Sequence, residues 1–362
     1  PKATKIKSEK LKVKNSGKES FITNELGLTI PTMTDSGGFQ VLSLAFGDKN
    51  KVSKFMTGTA KTDKAYKRSK IRITETGVYF KKWDDLRCRH IWKFLGPKLS
   101  MKIQNNIGAD IVFAFDHITS PLDSYAYNKK AVELTNKWAI QCLKINSKFK
   151  NLNSTFVPSS GRGEYKQQLF GIIQGGLFKD LRIKSAKSIG AMPFDGFGIG
   201  GSYTKKQIAK TLKWTIPYLP EEKPRHLLGV GKVADIFEAV ENGIDLFDCV
   251  IPTREARHGR LYAKTGHMDI RRGIYKNDKK TIEPGCKCPT CLPTGRLAKG
   301  ALRSQIRELI KSSDPKQKAA GQRWCLLHNI WFFNNLLEQI RESIQRDNFS
   351  KFKIRYLKKF KS

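Results

Sequence analysis

Between about residues 100 and 260, hydrophobic and polar positions alternate in a repeating order. A short apolar run ends in a polar or glycine-bearing tip, and a segment with helical spacing of apolar residues follows. ADIVFAFD ends at Asp116 and precedes AYNKKAVELTNKWAIQCLKI. QLFGIIQGG carries Gln174 at its tip and precedes DLRIKSAKSI, and FDGFGIGG ends at Gly200 and Gly201 ahead of KKQIAKTLKWTI. RHLLGVG ends at Gly231 before ADIFEAVENG, and IDLFDCVIPTR carries Asp248 and Arg254. Continuous apolar runs of this kind suit strands buried on both faces of a parallel sheet, and their alternation with helices predicts repeated strand–helix units.

A closed barrel and an open doubly wound sheet both fit that alternation. A barrel turns every strand-to-helix loop towards one mouth, whereas an open sheet gathers function at a switch point. Polar groups stand on successive tips here, so an α/β fold with a (β/α)8 TIM barrel is expected. The first residues, PKATKIKSEKLKVKNSGKES, are basic with little to bury and read as a solvated arm over residues 1–22. The barrel is expected over 23–275 and a helical subdomain over 276–362, with ALRSQIRELIKSS and WFFNNLLEQIRESIQR as helices and KFKIRYLKKFKS as a basic tail.

Composition narrows the class of protein. The 362 residues are 39% hydrophobic and 10% aromatic, enough for a sizeable core, which excludes a mainly disordered chain. No apolar run approaches the roughly 18–20 residues of a membrane span, and no secretory signal pattern opens the chain, so a cytoplasmic protein without a membrane partner is expected. Lys and Arg number 68 against 32 Asp and Glu, a formal charge of +36. That excess points either to a polyanionic partner such as nucleic acid or to a lysine-rich background spread over every face.

Three cysteines fall in Cys286-Lys-Cys288-Pro-Thr-Cys291, close enough to bind one ion. With an odd cysteine total and no secretory signal, metal binding outranks a disulfide framework. A tetrahedral structural zinc site needs a fourth ligand, for which His328 is the best candidate and Cys325 a competitor. Asp35-Ser36-Gly37-Gly38-Phe39 suggests a tight turn open to close backbone approach, with a ring available for stacking. Asp116 at its strand tip is either an N-cap or a ligand group. A carboxylate within the apolar run around Asp248 must be satisfied or functional, and Asp245 in the same run competes for that role.

The stretches TDSGGFQVLSL, ADIVFAFD, FGIIQGG, FGIGG, PRHLLGVG, GIDLFDCVIPTR, CKCPTC and LLHNIWFF, in this order over roughly residues 30 to 340, resemble the bacterial type of the tRNA-guanine transglycosylase (queuine tRNA-ribosyltransferase) family. The resemblance implies a barrel with a zinc-binding subdomain, acting as a homodimer on the anticodon arm of tRNA. The implied reaction exchanges the wobble guanine of GUN tRNAs for a 7-deazaguanine, preQ1 or queuine, through a covalent ribosyl–Asp intermediate. It implies Asp248 as the nucleophile and Asp35 as general acid/base. Asp116, Gln174 and the backbone at Gly200 and Gly201 would read the base edge, with Phe39 on its face. Arg254 and Arg257 would contact tRNA, and Cys286, Cys288, Cys291 and His328 would hold one structural Zn2+.

The chain also departs from the family pattern. Only 34 residues precede Asp35, so the family's first strand and N-terminal sheet are expected to be missing or remodelled. His117 and Ile118 stand where the family has an acid and a cysteine. Ser202-Tyr203-Thr204-Lys205-Lys206 replaces a family loop on the substituent side of the base, and SSDPKQKAAGQR lengthens the segment before His328. A non-catalytic tRNA-binding homologue, like the family's accessory subunit, is the alternative. Retention of both Asp35 and Asp248 favours the enzyme.

Overall fold

The computed structural model describes residues 31–39, 71–84, 88–121, 123–154, 167–201, 205–293 and 300–360. The basic arm, Gln40 and Ser202–Thr204 lie outside the described residues. The described residues divide into two compact units, one lying within residues 31–228 together with Glu238–Phe247, the other Gly229–Phe237 with the described residues from Asp248 onward.

The first unit is built on a parallel sheet. Its strands are β1 (Met33–Thr34), β5 (Ile111–Phe113), β6 (Gln168–Ile173), β7 (Gly196–Ile199), β8 (Arg225–Leu227) and β9 (Leu246–Phe247), adjacent in that order and all parallel. Helices α1 (Pro97–Ile107), α2 (Tyr125–Ser154), α3 (Lys179–Gly190) and α4 (Lys205–Thr215) occupy the connections, as the alternating pattern predicts. Among the described residues the sheet has six strands. An antiparallel meander, β2 (Ile71–Thr74), β3 (Gly77–Asp84) and β4 (Arg89–Leu95), leads into α1.

Large and small residues interlock across β6 and β7. Phe170 pairs with Gly196 and Ile172 with Gly198. A Cβ on Gly196 would lie 2.5 Å from the Phe170 ring, one on Gly198 would lie 2.6 Å from Ile172 Cδ1, and one on Gly200 would lie 2.5 Å from Gln174 Nε2. Two alternate glycines on β7 and a third just past its end thus leave room for Phe170 and Ile172 on β6 and for Gln174 just past it. Ile111, Phe113, Phe170 and Ile172 form the apolar layer on this face, with Met33, Leu228 and Leu246 packed against it. The polar Gln174 extends the same row one step beyond the layer.

β9 ends at Phe247, one residue before Asp248, so Asp248 follows the strand and is exposed. The expectation that it sits within a buried apolar run is therefore corrected. Asp245 is the structural carboxylate: its Oδ2 accepts the backbone N–H of Arg225 at 2.9 Å, and its own N–H donates to Arg225 O at 2.9 Å. That exchange sets the register of β8 and β9.

The second unit contains α6 (Ile251–Arg257), the hairpin β10 (Arg260–Ala263) and β11 (Gly266–Asp269), α7 (Arg303–Lys311), α8 (Pro315–Gln345) and α9 (Phe349–Lys359), while α5 (Val233–Glu241) crosses the division. SSDPKQKAAGQR is not an irregular insert. Asp314 caps α8, its side chain accepting the N–H of Lys316 at 2.9 Å, and Pro315 occupies the first turn, where no N–H is required. Gly321 lets α8 approach α7, since a Cβ there would lie 2.8 Å from Leu309 Cβ. The basic tail is likewise a helix with an apolar face: Phe349, Phe352 and Tyr356 pack on Phe237 at ring-centroid distances of 6.1, 5.7 and 5.3 Å.

Gly196→Ala should lower stability by about 1–3 kcal/mol, because the added methyl overpacks Phe170 in a dense core. The check is a urea midpoint that falls with an unchanged transition slope, and an unmoved midpoint would refute the interlocking.

Candidate functional site

In the first unit, polar groups converge just past the ends of β1, β5, β6 and β7. Asp116 lies three residues beyond β5 and is buried. Its Oδ2 accepts a hydrogen bond from Gln174 Nε2 at 2.7 Å and its Oδ1 one from Ser36 Oγ at 3.4 Å. Gln174 lies one residue beyond β6, fully buried; its backbone N–H donates to Ser185 Oγ on α3 at 3.1 Å. The amide oxygen Oε1 of Gln174 is buried with no hydrogen-bond partner among the described residues. A buried acceptor of this kind is expensive to leave unpaired, and here it belongs to a residue already fixed at both its N–H and its amide nitrogen.

Asp35 follows β1 and is exposed, its Oδ1 accepting the N–H of Ser36 at 2.7 Å. Ser36 is buried and held in place by Ser100, whose Oγ donates to Ser36 O at 2.7 Å. Gly37 takes a positive φ of 88°, and a Cβ on Gly38 would stand 3.2 Å from both Asp116 O and Oδ1. The glycines therefore allow this turn to close against Asp116, and Phe39 ends it with its ring partly exposed. Gln104 on α1 ties the two strands behind the turn: its Oε1 accepts from Thr34 Oγ1 at 3.2 Å and from Phe113 N–H at 3.1 Å, and its Nε2 donates to Phe113 O at 2.9 Å.

Burial pushes the Asp116 carboxyl up to about 7. The Gln174 hydrogen bond opposes the rise, the Asp35 charge adds to it, and the Ser36 contact opposes it. Gly200 completes the group: its N–H donates to Ile173 O at 3.0 Å, and its own carbonyl accepts from the buried Arg182 at 2.7 Å. Gly201 follows with φ 126°. His117 turns away from this group. Its N–H donates to Thr135 Oγ1 at 3.0 Å, and its Nε2 lies 2.9 Å from Tyr127 Oη.

In the second unit, Asp248 Oδ1 accepts the N–H of Gly229 at 2.9 Å, where Gly229 adopts φ 72°. Cys249 packs on Gly231, at which a Cβ would lie 2.4 Å from Cys249 Cβ. Arg254 and Arg257 are exposed one turn apart on α6 and share a face. The Gly229 bond leaves no mark in the amino-acid sequence, because a backbone donor has no residue type.

Cys286, Cys288, Cys291 and His328 are all buried, and their ligand atoms lie within 4.8 Å of one another. His328 Nδ1 is 3.7, 3.3 and 3.6 Å from the three sulfurs. A tetrahedral zinc site has ligand–ligand edges of about 3.6 Å, so the donor set fits such an ion. Hydrogen bonds from Cys286 and Cys291, with His328 adding to them, hold the Cys288 thiol far below its usual range, favouring the thiolate that a metal needs. The other ring nitrogen, His328 Nε2, is 2.7 Å from Tyr262 O and so fixes the tautomer. The neighbouring Asn329 accepts Tyr262 N–H at 3.1 Å and donates to Arg260 O at 2.9 Å. Cys325, the competing ligand, lies in the apolar core of this unit, where burial pushes its thiol up to about 12. Among the described residues, no helix is long and apolar enough to cross a membrane.

The family model described as Queuine tRNA-ribosyltransferase matches residues 5–362. The queuine tRNA-ribosyltransferase of Clostridium botulinum (strain Langeland) is 37% identical over 334 residues, covering 91% of this chain and 77% of the relative. Those of Clostridium acetobutylicum and Clostridium perfringens (strain SM101) are each 37% identical, over 331 and 333 residues, covering 91% of this chain and 76% of the relative. With a family match along almost its whole length and this level of identity, the chain belongs to the queuine tRNA-ribosyltransferase family.

Proposed function

We propose that the protein exchanges the wobble guanine of GUN tRNAs for a 7-deazaguanine, either 7-aminomethyl-7-deazaguanine (preQ1) or queuine. The observation that carries this reading is the buried Asp116–Gln174 pair, whose Gln174 Oε1 is an unpartnered acceptor. A guanine edge offers N1–H and N2–H donors beside the O6 acceptor. Gln174 Oε1 and Asp116 supply acceptors for the donors, and the backbone at Gly200 and Gly201 lines the neighbouring tip. Phe39 stacks on the ring. Reaching the base requires turning it out of the folded RNA, a cost met by these contacts.

The chemistry follows from a sugar centre that develops oxocarbenium character. An Asp248 oxygen attacks C1′ of the ribose, and the C1′–N9 bond to guanine breaks as the C1′–O bond forms. The departing base takes a proton at its ring nitrogen from Asp35. The incoming base returns a proton to Asp35 as its nitrogen attacks C1′, and Asp248 leaves as the carboxylate. The N–H of Gly229 orients the Asp248 carboxylate for this attack. Arg254 and Arg257 bind tRNA phosphates, a contact that weakens with salt and carries no base choice.

Cys286, Cys288, Cys291 and His328 would hold one zinc ion, which when bound supplies folding energy. The parallel sheet is read as part of a closed (β/α)8 barrel over 23–275, with the zinc-binding subdomain over 276–362. The active form is read as a homodimer in the cytoplasm.

Asp248→Asn should abolish incorporation of labelled guanine into GUN tRNA, by more than about a thousandfold, while tRNA binding persists. Full exchange in that variant would sink the nucleophile assignment, and tRNA binding without exchange in the parent protein would favour a non-catalytic homologue. Elemental analysis should find about one zinc per chain, absent in Cys288→Ser together with a lower melting temperature. A well-folded, metal-free parent protein would overturn the metal site. For Asp116, a folded-state value near 7 against an ordinary 3.8 means that the protonated form is the one the fold favours. The stability it contributes is full below about pH 4 and lost as pH rises through about 7. Asp116→Asn stays neutral throughout, so its melting temperature relative to the parent should rise between about pH 5 and pH 8.5. An unchanged difference would contradict the protonated carboxyl.

A further inference from the structure

Arg182 is fully buried on α3, the helix that follows β6. Two of its three nitrogens donate to three backbone carbonyls. Nε donates to Gly176 O at 2.8 Å, and Nη1 donates to Gly200 O at 2.7 Å and Ile173 O at 3.3 Å. Those carbonyls lie at the ends of two strands: Ile173 closes β6, Gly176 lies in the turn after it, and Gly200 follows β7. They stand where the ladder runs out: the bond from Gly200 N–H to Ile173 O at 3.0 Å is the last between the two backbones among the described residues. A planar guanidinium with a fixed fork of donors spans such a gap, whereas an ammonium presents a single point of charge.

The surrounding chain is shaped to admit this clamp. Gly175 has φ 133°, and a Cβ there would lie 2.8 Å from Arg182 N. One turn along the same helix, Ser185 Oγ accepts the N–H of Gln174. Arg182 and Ser185 together bracket Gln174: the carbonyls on either side of it go to Arg182, and its own N–H goes to Ser185. The gap between Gln174 and Gly200 is also tight, since a Cβ on Gly200 would meet Gln174 Nε2 at 2.5 Å. A small shift of either tip therefore moves both.

We propose that Arg182 is a positioning residue for base recognition, setting the spacing between Gln174 and Gly200 by binding the carbonyls of both strand tips. It touches no substrate, and it rests on the base-reading role proposed for Gln174, Gly200 and Gly201. Its loss should weaken capture of the free base and spare binding of tRNA.

The experiment is base exchange on a defined GUN tRNA with the full chain, comparing Arg182→Met, Arg182→Lys, Gln174→Ala and the parent. Arg182→Met keeps the apolar stem and removes the donors. It should raise KM for guanine at least about tenfold, since small misplacements of binding groups carry costs of this size. KM for tRNA should stay within about twofold and kcat at saturating base within about threefold. Arg182→Lys should fall between Met and the parent. Millimolar guanidinium should lower the guanine KM of Arg182→Met and leave the parent unchanged, which a general loss of stability would not produce. A folded Arg182→Met with the parent's guanine KM, or an equal rise in both KM values, overturns the proposal. So does failure of both Arg182 variants to fold, which would assign the residue to stability alone. Gln174→Ala separates the two readings: if it too leaves guanine KM unchanged, the base-reading role itself has failed.

Discussion

A polar side chain buried past the end of an apolar strand has to be hydrogen-bonded, and in this protein that constraint falls on Asp116 and Gln174. Each lies in a place that water does not reach, and the 2.7 Å bond between them meets the need of one carboxylate oxygen and one amide nitrogen. The surroundings serve to hold that pair. Gly200 leaves room for the amide, Ser185 fixes its backbone, and Ser36 approaches the second carboxylate oxygen across a turn that only glycines allow to close. Gln104 binds the backbone of β5 at Phe113 and the Thr34 hydroxyl, so the strand carrying Asp116 and the turn carrying Asp35 share one anchor. The leftover acceptor, Gln174 Oε1, has no partner among the described residues, and the proposed base reading follows from it.

The same physical logic shapes the other unit at a different centre. Three thiols and an imidazole from positions 37 to 42 residues apart are brought together in a core that would otherwise be apolar. The imidazole is oriented by a backbone carbonyl, and the adjacent Asn329 secures the same hairpin, so one turn of α8 both presents a ligand and pins β10. A helix long enough to do this needs a firm start. Asp314 and Pro315 provide it, and Gly321 permits the close packing on α7.

Much of this was legible in the residue order, and the exceptions share a cause. Helix-period segments after each apolar run became α2, α3, α4 and α5, and the polar tips came at the strand ends. The capping signal in Ser-Ser-Asp-Pro was present but was read as a polar insert, because charge and polarity outweighed the cap. The charge of the tail marks it only as basic, although Phe349, Phe352 and Tyr356 recur at helical spacing and cover Phe237. Asp245 and Asp248 could not be separated by pattern. Both flank a two-residue strand, and only its end point puts one in the ladder and the other in solvent.

By itself, then, the sequence determined the alternating strand–helix order, the cysteine triplet and the identity of the polar tips, since these depend on local spacing and residue chemistry. The tertiary structure alone decided which donor meets which acceptor. It chose His328 over Cys325, made Asp245 a register residue, raised Asp116 by burial, and placed Arg182 on carbonyls from two strands. Those outcomes depend on which distant segments end side by side, and on how far each polar group is removed from water. Neither quantity is carried by any one stretch of chain.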